Sequence, residues 1–175
     1  HSAHRRPKLS VYPGTVELFD SLPAEVVLQL ASKRGELPRR LLMGSDAAER
    51  FAALLGEETA GRRAALLFDE RTFLAAGQAC ALALKAAGFS VYPLLVEDRD
   101  GHSPACDDKT KAVLEASLPR ADVIVGVGSG VISDLSKWLA FGAGLPAAIF
   151  GTAASMNGYA AANVAPAVSG VKTLV

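Results

Sequence analysis

The stretch VGVGSGVISDLSKW, residues 125–138, decides the fold of this chain. The apolar run ADVIVGVG at 121–128 is typical of a buried strand, and VISDLSKWLAFG at 131–142 has the composition of a helix. A strand that passes through glycines directly into a helix is typical of a parallel sheet wrapped by helices. The N-terminus of such a helix presents free backbone N–H groups that attract phosphate. The stretch therefore predicts either a phosphate cradle or only a tight turn.

The alternation of strand and helix extends in both directions from this stretch. Strands are predicted at 39–44, 63–70, 89–97 and 145–152, and helices at 46–58, 71–88 and 109–118. Ser45 is predicted to cap the helix that follows it. Residues 14–34 are predicted to form one or two short helices, because Pro23 falls where a new helix would start. The pattern as a whole predicts an α/β fold, with a Rossmann-like parallel sheet flanked by helices.

Composition excludes several classes of protein. The chain has 175 residues, of which 50% are hydrophobic, and this suits one domain with a buried core. Its 18 Lys and Arg residues balance 18 Asp and Glu residues without a basic run, so we exclude nucleic acid as a partner. Glycines and prolines interrupt the uncharged segment 138–171, so we predict no membrane span. The two cysteines, Cys80 and Cys106, predict thiols in a reducing, cytoplasmic compartment, and we find no metal site in this chain.

The glycine-rich loop has the residue types that an anion site needs. Gly128 and Gly130 lack the Cβ atoms that would keep a pyrophosphate off the backbone, and they permit positive φ angles. Ser129 or Gly130 is the expected N-cap, and the Ser129 hydroxyl is a further donor to an anion. Asp134 is expected in the first helical turn, where we predict contacts with backbone amides and with Lys137.

The loop does not match the best-known phosphate-binding motifs. Val131 stands where the third glycine of a Rossmann fingerprint belongs, and no acid follows about 20 residues downstream. An acid does stand upstream, because Asp69 ends the predicted strand LLFD. If the two strands are neighbours in the sheet, Asp69 can accept hydrogen bonds from ribose hydroxyls. The alternative is that Asp69 caps the helix that follows it, and the sequence leaves both interpretations open.

A second polar stretch, GTAASMNGYAAANVA at 151–165, follows the last predicted strand of the sheet. Small residues let a loop pack close to a ligand, and Thr152, Ser155 and Asn157 can converge on one side of a turn. Tyr159 can stack on a ligand or form a hydrogen bond. The alternative is an ordinary turn rich in Ala, Asn and Gly.

These two stretches, together with LLFDERTFLAAGQ at 66–78, resemble the NAD(P)-dependent glycerol-1-phosphate dehydrogenases. Those enzymes belong to the iron-containing alcohol dehydrogenase and dehydroquinate synthase-like superfamily, and the resemblance runs from about Arg39 to the end. It implies a dehydroquinate synthase-like N-terminal domain that binds NAD or NADP. A C-terminal helical domain would supply an Asp and two His ligands to zinc or nickel. That metal would polarise the C2 oxygen of a phosphorylated polyol while hydride passes between C2 and nicotinamide.

The resemblance also implies roles for the residues singled out above. Residues 128–130 would wrap the pyrophosphate, with Asp134 in the same cofactor-binding segment, and Asp69 would lie by the adenosine ribose. Thr152 and Ser155 would lie near the nicotinamide. The Asp69 carboxylate favours NAD, because it repels a 2′-phosphate.

On the substrate side the candidates are Asn157 and Lys137. Asn157 stands where several relatives of the resembled family have an Asp beside the substrate. The amide keeps the hydrogen-bonding shape but lacks the charge that a proton relay would use. The catalytic residues themselves stay unassigned.

The domain expectation follows from the extent of the resemblance. Residues 1–38 are expected to form a helical or irregular extension, and residues 39–175 the dinucleotide-binding domain, without the C-terminal metal domain. We therefore expect a fragment, a truncated form or a degenerate copy that does not turn over a small phosphorylated polyol by itself. Three alternatives stay open: another polyol dehydrogenase, a dehydroquinate synthase-like enzyme, or a non-catalytic nucleotide- or phosphosugar-binding module. The sequence also leaves homo-oligomerisation open.

Overall fold

The computed structural model describes residues 26–29, 38–44, 46–153, 156, 158–161 and 163–175. The strands are β1 (Val26–Gln29), β2 (Arg40–Met43), β3 (Arg63–Phe68), β4 (Ser90–Leu95), β5 (Val123–Gly128), β6 (Ala147–Gly151), β7 (Ala167–Val168) and β8 (Val171–Lys172). The α-helices are α1 (Ala47–Glu58), α2 (Glu70–Thr72), α3 (Gln78–Ala86), α4 (Asp108–Ser117) and α5 (Gly130–Ala143). A π-helical turn, Phe73–Gly77, joins α2 to α3, and a 3₁₀ turn, Gly158–Ala160, follows β6.

The centre of the molecule is a four-stranded parallel sheet in the order β4-β3-β5-β6. β5 is buried along its whole length, and β3 is buried at every position after Arg63. Short aliphatic runs of this kind are typical of strands that are covered on both faces, so their sequences show no polar alternation. The predicted fold class, a Rossmann-like α/β fold with a parallel sheet between helices, is confirmed by this architecture.

Helices cover both faces of the sheet. On one face, α1 and α3 pack against alternate residues of β3 and β5, such as Leu66 and Val125. Cys80 and Leu84 are the buried residues of α3 in this layer. On the other face, α4 and α5 pack against the intervening residues of the same strands. The period of two along each strand therefore divides one aliphatic sequence between two separate core layers.

The order of the strands creates a switch point between β3 and β5. From β3 the chain first adds β4 on one side, and it then returns to add β5 on the other side. In open α/β sheets, ligands bind in the crevice outside the carboxyl ends of the strands at such a point. The loop after β5 and the residue after β3 both lie at this edge, because β3 and β5 are parallel and Leu67 pairs with Gly126.

The N-terminal prediction is wrong where the structure describes it. Residues 26–29 lie within the segment predicted to be helical, but they form strand β1, which pairs antiparallel with β2. The β-branched pair at the start of this strand, Val26 and Val27, suits an extended backbone better than a helix. The other residues of the predicted 14–34 helices, and Ser45 as a helix cap, lie outside the described residues.

The helix predicted at 71–88 differs from the structure in two ways. It begins one residue earlier, because Asp69 caps it, and it contains the π-helical turn. Within that turn Phe73 packs on Phe68, with ring centroids 4.6 Å apart, and a Cβ atom on Gly77 would lie 2.8 Å from the Phe73 ring. Gly88, with φ +86°, follows the end of α3 as predicted.

The segment after β6 contains the 3₁₀ turn and the antiparallel hairpin β7–β8. Two hydrogen bonds attach this hairpin to the start of α4: Ala167 N donates to the Cys106 carbonyl, and Ser169 N donates to the Asp108 carboxylate. Among the described residues, no helix is both long and apolar enough to cross a membrane.

Candidate functional site

The start of α5 is open to a ligand. Ser129 is the N-cap residue, as predicted, but its side chain makes no capping hydrogen bond in the described part of the chain. Ser133 N donates to the Ser129 carbonyl at 2.9 Å, so the N–H groups of the preceding helical residues are left without intrahelical partners. The first turn contains no acidic residue. Free N–H donors, the positive end of the helix dipole and a first turn without an acidic residue together favour an anion.

Gly128 and Gly130 are required for steric reasons rather than for backbone conformation. Neither belongs to the glycines with positive φ, although the sequence permits it. A Cβ atom on Gly128 would lie 2.5 Å from the Cβ of Ile132, which is buried in the core. A Cβ atom on Gly130 would lie 3.0 Å from the terminal methyl of Met156. The backbone of the loop is therefore close to its neighbours on two sides: Gly128 faces the buried core, whereas Gly130 faces a flexible side chain that can move.

Asp69 lies beside this loop, directly after β3. Leu67 pairs with Gly126, so Asp69 is level with Gly128 at the carboxyl edge of the sheet. The alternative role, a helix cap, is present: Asp69 Oδ1 accepts a hydrogen bond from Thr72 N at 2.9 Å, and Asp69 N donates to the Thr72 hydroxyl. Oδ2 has no hydrogen-bond partner among the described residues. One carboxylate can therefore cap α2 with one oxygen and offer the other to a ligand.

A second acid and a base lie at the same edge. Arg71 makes two hydrogen bonds to the carboxylate of Asp98, at 2.7 and 3.1 Å, and its Nε lies 3.5 Å from Asp69 Oδ1. The hydrogen bond from Arg71 lowers the pKa of Asp98, and the same bond raises the pKa of Arg71. The pair holds the guanidinium towards the end of β4.

The stretch after β6 packs against the glycine-rich loop. Thr152 N donates to the Gly128 carbonyl at 3.1 Å. The Tyr159 hydroxyl lies 3.2 Å from the same carbonyl oxygen and accepts a hydrogen bond from Ala153 N at 3.2 Å. Thr152 is thus brought beside the loop, while Ser155 and Asn157 lie outside the described residues. Tyr159 forms a hydrogen bond, which was one of its two predicted roles, but no pattern in the sequence indicated that its hydroxyl lies beside Gly128.

Asp134 and Lys137 point away from the start of the helix. Asp134 was expected in the first turn of α5, but it lies beyond that turn. It contacts the partners that the sequence predicted, namely Lys137 Nζ at 3.1 Å and a backbone amide, that of Ala165, at 3.4 Å. Lys137 Nζ donates to carbonyl oxygens of the segment that follows β6. Both side chains join α5 to that segment in this structure.

Ser133 is a site feature that the sequence analysis missed. Its side chain is fully buried one helical turn after Ser129, and its hydroxyl has no hydrogen-bond partner in the described part of the chain. A buried hydroxyl without a partner costs about 1–3 kcal/mol. Ser133 lies shortly after the glycines, but nothing in the sequence distinguishes it from Ser136, the second buried serine of the same helix.

The cysteines and the metal-binding residue types do not contribute a site. Burial raises the pKa of Cys80 to about 12, and burial together with the negative charge of Asp134 raises the pKa of Cys106 to about 12. Within the described residues no three His, Cys, Asp or Glu side chains come close enough to hold a metal ion. The resemblance implied zinc or nickel ligands from a C-terminal helical domain, and the described residues of this chain offer no group that fits such an ion.

A cavity of about 600 Å³ lies at a different place, along the outer edge of β6. It is lined by β2, α1, β6 and the second half of α5, and none of the predicted cofactor-binding residues lines it. We assign the site to the carboxyl edge of the sheet, because the polar groups converge there, and not at this largely apolar cavity.

The chain is an α/β protein whose candidate site is the N-terminus of α5 at the switch point of the parallel sheet. A family model described as iron-containing alcohol dehydrogenase matches residues 42–174. The chain belongs to the iron-containing alcohol dehydrogenase family. The predicted resemblance is therefore confirmed at the level of the family.

Relatives of known name agree with this assignment. The chain is 27% identical over 136 residues to the glycerol-1-phosphate dehydrogenase [NAD(P)+] of Bacillus velezensis, covering 77% of this chain and 34% of the relative. It is 30% identical over 140 residues to the enzyme of the same name from Thermococcus sibiricus, covering 80% of this chain and 38% of the relative. The chain thus spans about a third of the length of these curated relatives.

Solved structures show the same fold. A glycerol dehydrogenase from Schizosaccharomyces pombe has a TM-score of 0.60 at 22% identity, and the match covers 68% of this chain and 29% of the yeast chain. An iron-containing alcohol dehydrogenase from Thermotoga maritima has a TM-score of 0.59 at 17% identity, and the match covers 74% of this chain and 40% of the Thermotoga chain. At these identities the likeness shows the fold alone.

Proposed function

We propose that this chain is the dinucleotide-binding domain, residues 39–175, of a glycerol-1-phosphate dehydrogenase. The observation that carries the proposal is the open N-terminus of α5 at the switch point, between Asp69 and Thr152. In this proposal the pyrophosphate of NAD(H) or NADP(H) lies on the N–H groups of residues 128–130 and of the first turn of α5. The names of the relatives, which include NAD(P)+, support a nicotinamide dinucleotide as the ligand.

The two sides of the loop would orient the rest of the dinucleotide. Asp69 would accept hydrogen bonds from the adenosine ribose with the oxygen that does not cap α2. Thr152, and Ser155 in the same stretch, would lie on the nicotinamide side. The bound dinucleotide supplies or accepts the hydride, and the residues of this chain bind and orient it.

We propose that the reaction of the whole enzyme is the interconversion of dihydroxyacetone phosphate and sn-glycerol 1-phosphate. The support is the shared name of the relatives that match this chain. Asn157 is our candidate on the substrate side. We assign no metal-dependent step to this chain, because no described group of residues suits a metal.

The proposal predicts binding without turnover for the 175-residue chain. NADH or NADPH at millimolar concentration is expected to raise the melting temperature, because a ligand that binds only the native state stabilises it. Dihydroxyacetone phosphate, NADH and Zn²⁺ or Ni²⁺ are expected to give no oxidation of NADH, measured by absorbance at 340 nm.

The two measurements separate the parts of the proposal. A melting temperature that neither nucleotide changes would contradict the assignment of a dinucleotide site. Metal-dependent oxidation of NADH would show that the chain has a complete active site, and it would contradict the assignment of binding alone. If ATP raised the melting temperature as much as NADH does, the result would favour a general nucleotide-binding module.

A further inference from the structure

Lys137 is surrounded by acceptors from its own chain. Its Nζ donates to the carbonyl oxygens of Gly158, Ala161 and Asn163 at 3.1, 3.2 and 3.1 Å, and it lies 3.1 Å from Asp134 Oδ1. Only 12% of its side chain is exposed. An ammonium group has three N–H donors, and three carbonyl oxygens are enough to use them all. All three N–H donors of Lys137 are therefore used within the chain, and none is left for a substrate phosphate. The ammonium group instead holds the segment that follows β6.

Two of the three carbonyls that Lys137 holds lie on either side of Tyr159. The turn between Gly158 and Ala161 is closed by the hydrogen bond from Ala161 N to the Gly158 carbonyl at 3.1 Å. The Tyr159 ring covers Gly151, where a Cβ atom would lie only 2.7 Å from the ring. Fixing the turn therefore fixes the position of the tyrosine.

Tyr159 in turn contacts the glycine-rich loop. Its hydroxyl lies 3.2 Å from the carbonyl oxygens of both Gly128 and Ala153, and the Gly128 carbonyl also accepts the hydrogen bond from Thr152 N at 3.1 Å. The Thr152 N–H and the adjacent Tyr159 hydroxyl restrict the plane of the peptide that joins Gly128 to Ser129. A trans peptide is planar, so the Ser129 N–H points in the direction opposite to the Gly128 carbonyl. The orientation of an N–H group at the open start of α5 thus depends on Tyr159 and Thr152.

We propose that Lys137 is a positioning residue. Its ammonium group fixes the turn that carries Tyr159, and Tyr159 in turn holds the glycine-rich loop in the conformation that binds a nucleotide. This inference rests on the proposed function, because its effect is read as nucleotide affinity. Lys137 lies on α5, the helix whose N-terminus forms the loop, so one helix carries both the binding site and the group that holds its support. The substrate-side role suggested for Lys137 by the sequence is replaced by this one.

The first test removes each link separately in the 175-residue chain. Tyr159→Phe deletes only the hydroxyl and keeps the ring over Gly151, and Lys137→Ala deletes the ammonium. Both variants are expected to weaken NADH binding about tenfold, which corresponds to about 1.4 kcal/mol. Lys85→Met removes an exposed lysine of α3 and is the matched control, with no change expected.

The second test asks whether a cation can replace the missing side chain. Methylammonium chloride is expected to restore most of the NADH affinity of Lys137→Ala, because its ammonium group can occupy the space between the carbonyl oxygens. Tetramethylammonium chloride at the same concentration has no N–H donors and is expected to leave the affinity low. The wild type and Tyr159→Phe are expected to respond to neither salt. Equal effects of the two salts on Lys137→Ala would overturn the proposal.

A third measurement does not depend on nucleotide. Hydrogen exchange of the Ala161 amide, which closes the turn, is expected to be at least tenfold faster in Lys137→Ala than in Lys85→Met. Unchanged exchange would overturn the proposal even if NADH affinity fell. If the wild type does not bind NADH but the exchange result holds, the proposed function fails while the support of the loop by Lys137 stands.

Discussion

Gly128 and Gly130 flank one serine but meet different surroundings. A side chain at Gly128 would point into the core against Ile132, whereas a side chain at Gly130 would meet only the flexible end of Met156. The first glycine therefore belongs to the packing of α5 on the sheet, and the second to the surface that faces a ligand. Substitutions at the two positions separate stability from binding.

Gly128→Ala is expected to destabilise the protein by about 1–3 kcal/mol, the usual cost of forcing a methyl group into a packed core. The measurement is urea unfolding followed by circular dichroism. Gly142→Ala, in the same helix, is the control, because its Cβ would approach only the side-chain ends of Glu115 and Lys111. Equal stability of the Gly128→Ala variant and the wild type would show that the loop is not held against Ile132 as described.

Asp69→Asn is expected to change the choice of nucleotide without changing stability. Asparagine is as good an N-cap as aspartate, so the start of α2 is retained, while the negative charge beside the ribose is lost. The ratio of the dissociation constants for NADPH and NADH is expected to fall about tenfold or more, because the carboxylate no longer repels a 2′-phosphate. Titration with both nucleotides measures this ratio. An unchanged ratio would show that Asp69 does not lie beside the ribose.

At the scale of the elements, the order of strands and helices from residue 39 to the end of β6 was predictable from the sequence. Buried strands and amphipathic helices alternate there, and glycines mark helix ends at Gly88 and Gly144. β1 was not predictable by the same argument, because its pairing with β2 is a tertiary interaction. The π-helical turn was missed because a helical pattern does not distinguish one extra residue per turn when Phe73 and Gly77 pack together.

The candidate site divides in the same way. The N–H donors of the loop follow from the glycine spacing in the sequence. The proximity of Asp69 follows from the pairing of β3 with β5, which the sequence left as a condition. The contact of Tyr159 with Gly128 joins residues 31 positions apart, and the contacts of Lys137 join residues 21 to 26 positions apart. No local sequence pattern specifies contacts over such separations. The sequence suggested a role for Lys137 by its position alone, and its three carbonyl partners became clear only in the fold.

The start of α4 gives a prediction about pH. Asp107 caps this helix through Thr110 N at 2.8 Å and is paired with Arg99. The hydrogen bond from Arg99 lowers the pKa of Asp107 to about 2. An aspartate with a lowered native pKa stabilises the fold above its unfolded pKa of about 4, and the contribution is lost as pH falls towards 2.

Asp107→Asn is therefore expected to unfold more easily at pH 7, by about 1 kcal/mol, and to lose less stability between about pH 4 and pH 2 than the wild type. Urea unfolding at several pH values measures this difference. Glu57→Gln, an exposed carboxylate of α1, is the control. Parallel pH profiles for Asp107→Asn and the wild type would contradict the ion pair at this helix start.

At the scale of the whole molecule, the chain combines a parallel sheet with a candidate binding site at its switch point. Both core layers consist of buried apolar residues, and we propose that the polar groups at the switch point bind a dinucleotide. The cavity along β6 and the exposed Phe141, 81% accessible, mark a second face with a different character. Our account of function depends on the first of these faces.

The most direct test of that account is a titration with NADH that uses Trp138, the one tryptophan of the chain, as energy donor. Trp138 lies on α5, about 12 Å along the helix from Gly130 at 1.5 Å per residue, well within range of transfer to bound NADH. The account predicts saturable quenching of Trp138 in the wild type and in Gly142→Ala. It predicts none in Gly130→Val, which meets only the end of Met156 and so still folds. Equal quenching in Gly130→Val and the wild type would contradict it, because the pyrophosphate would then not lie on this loop.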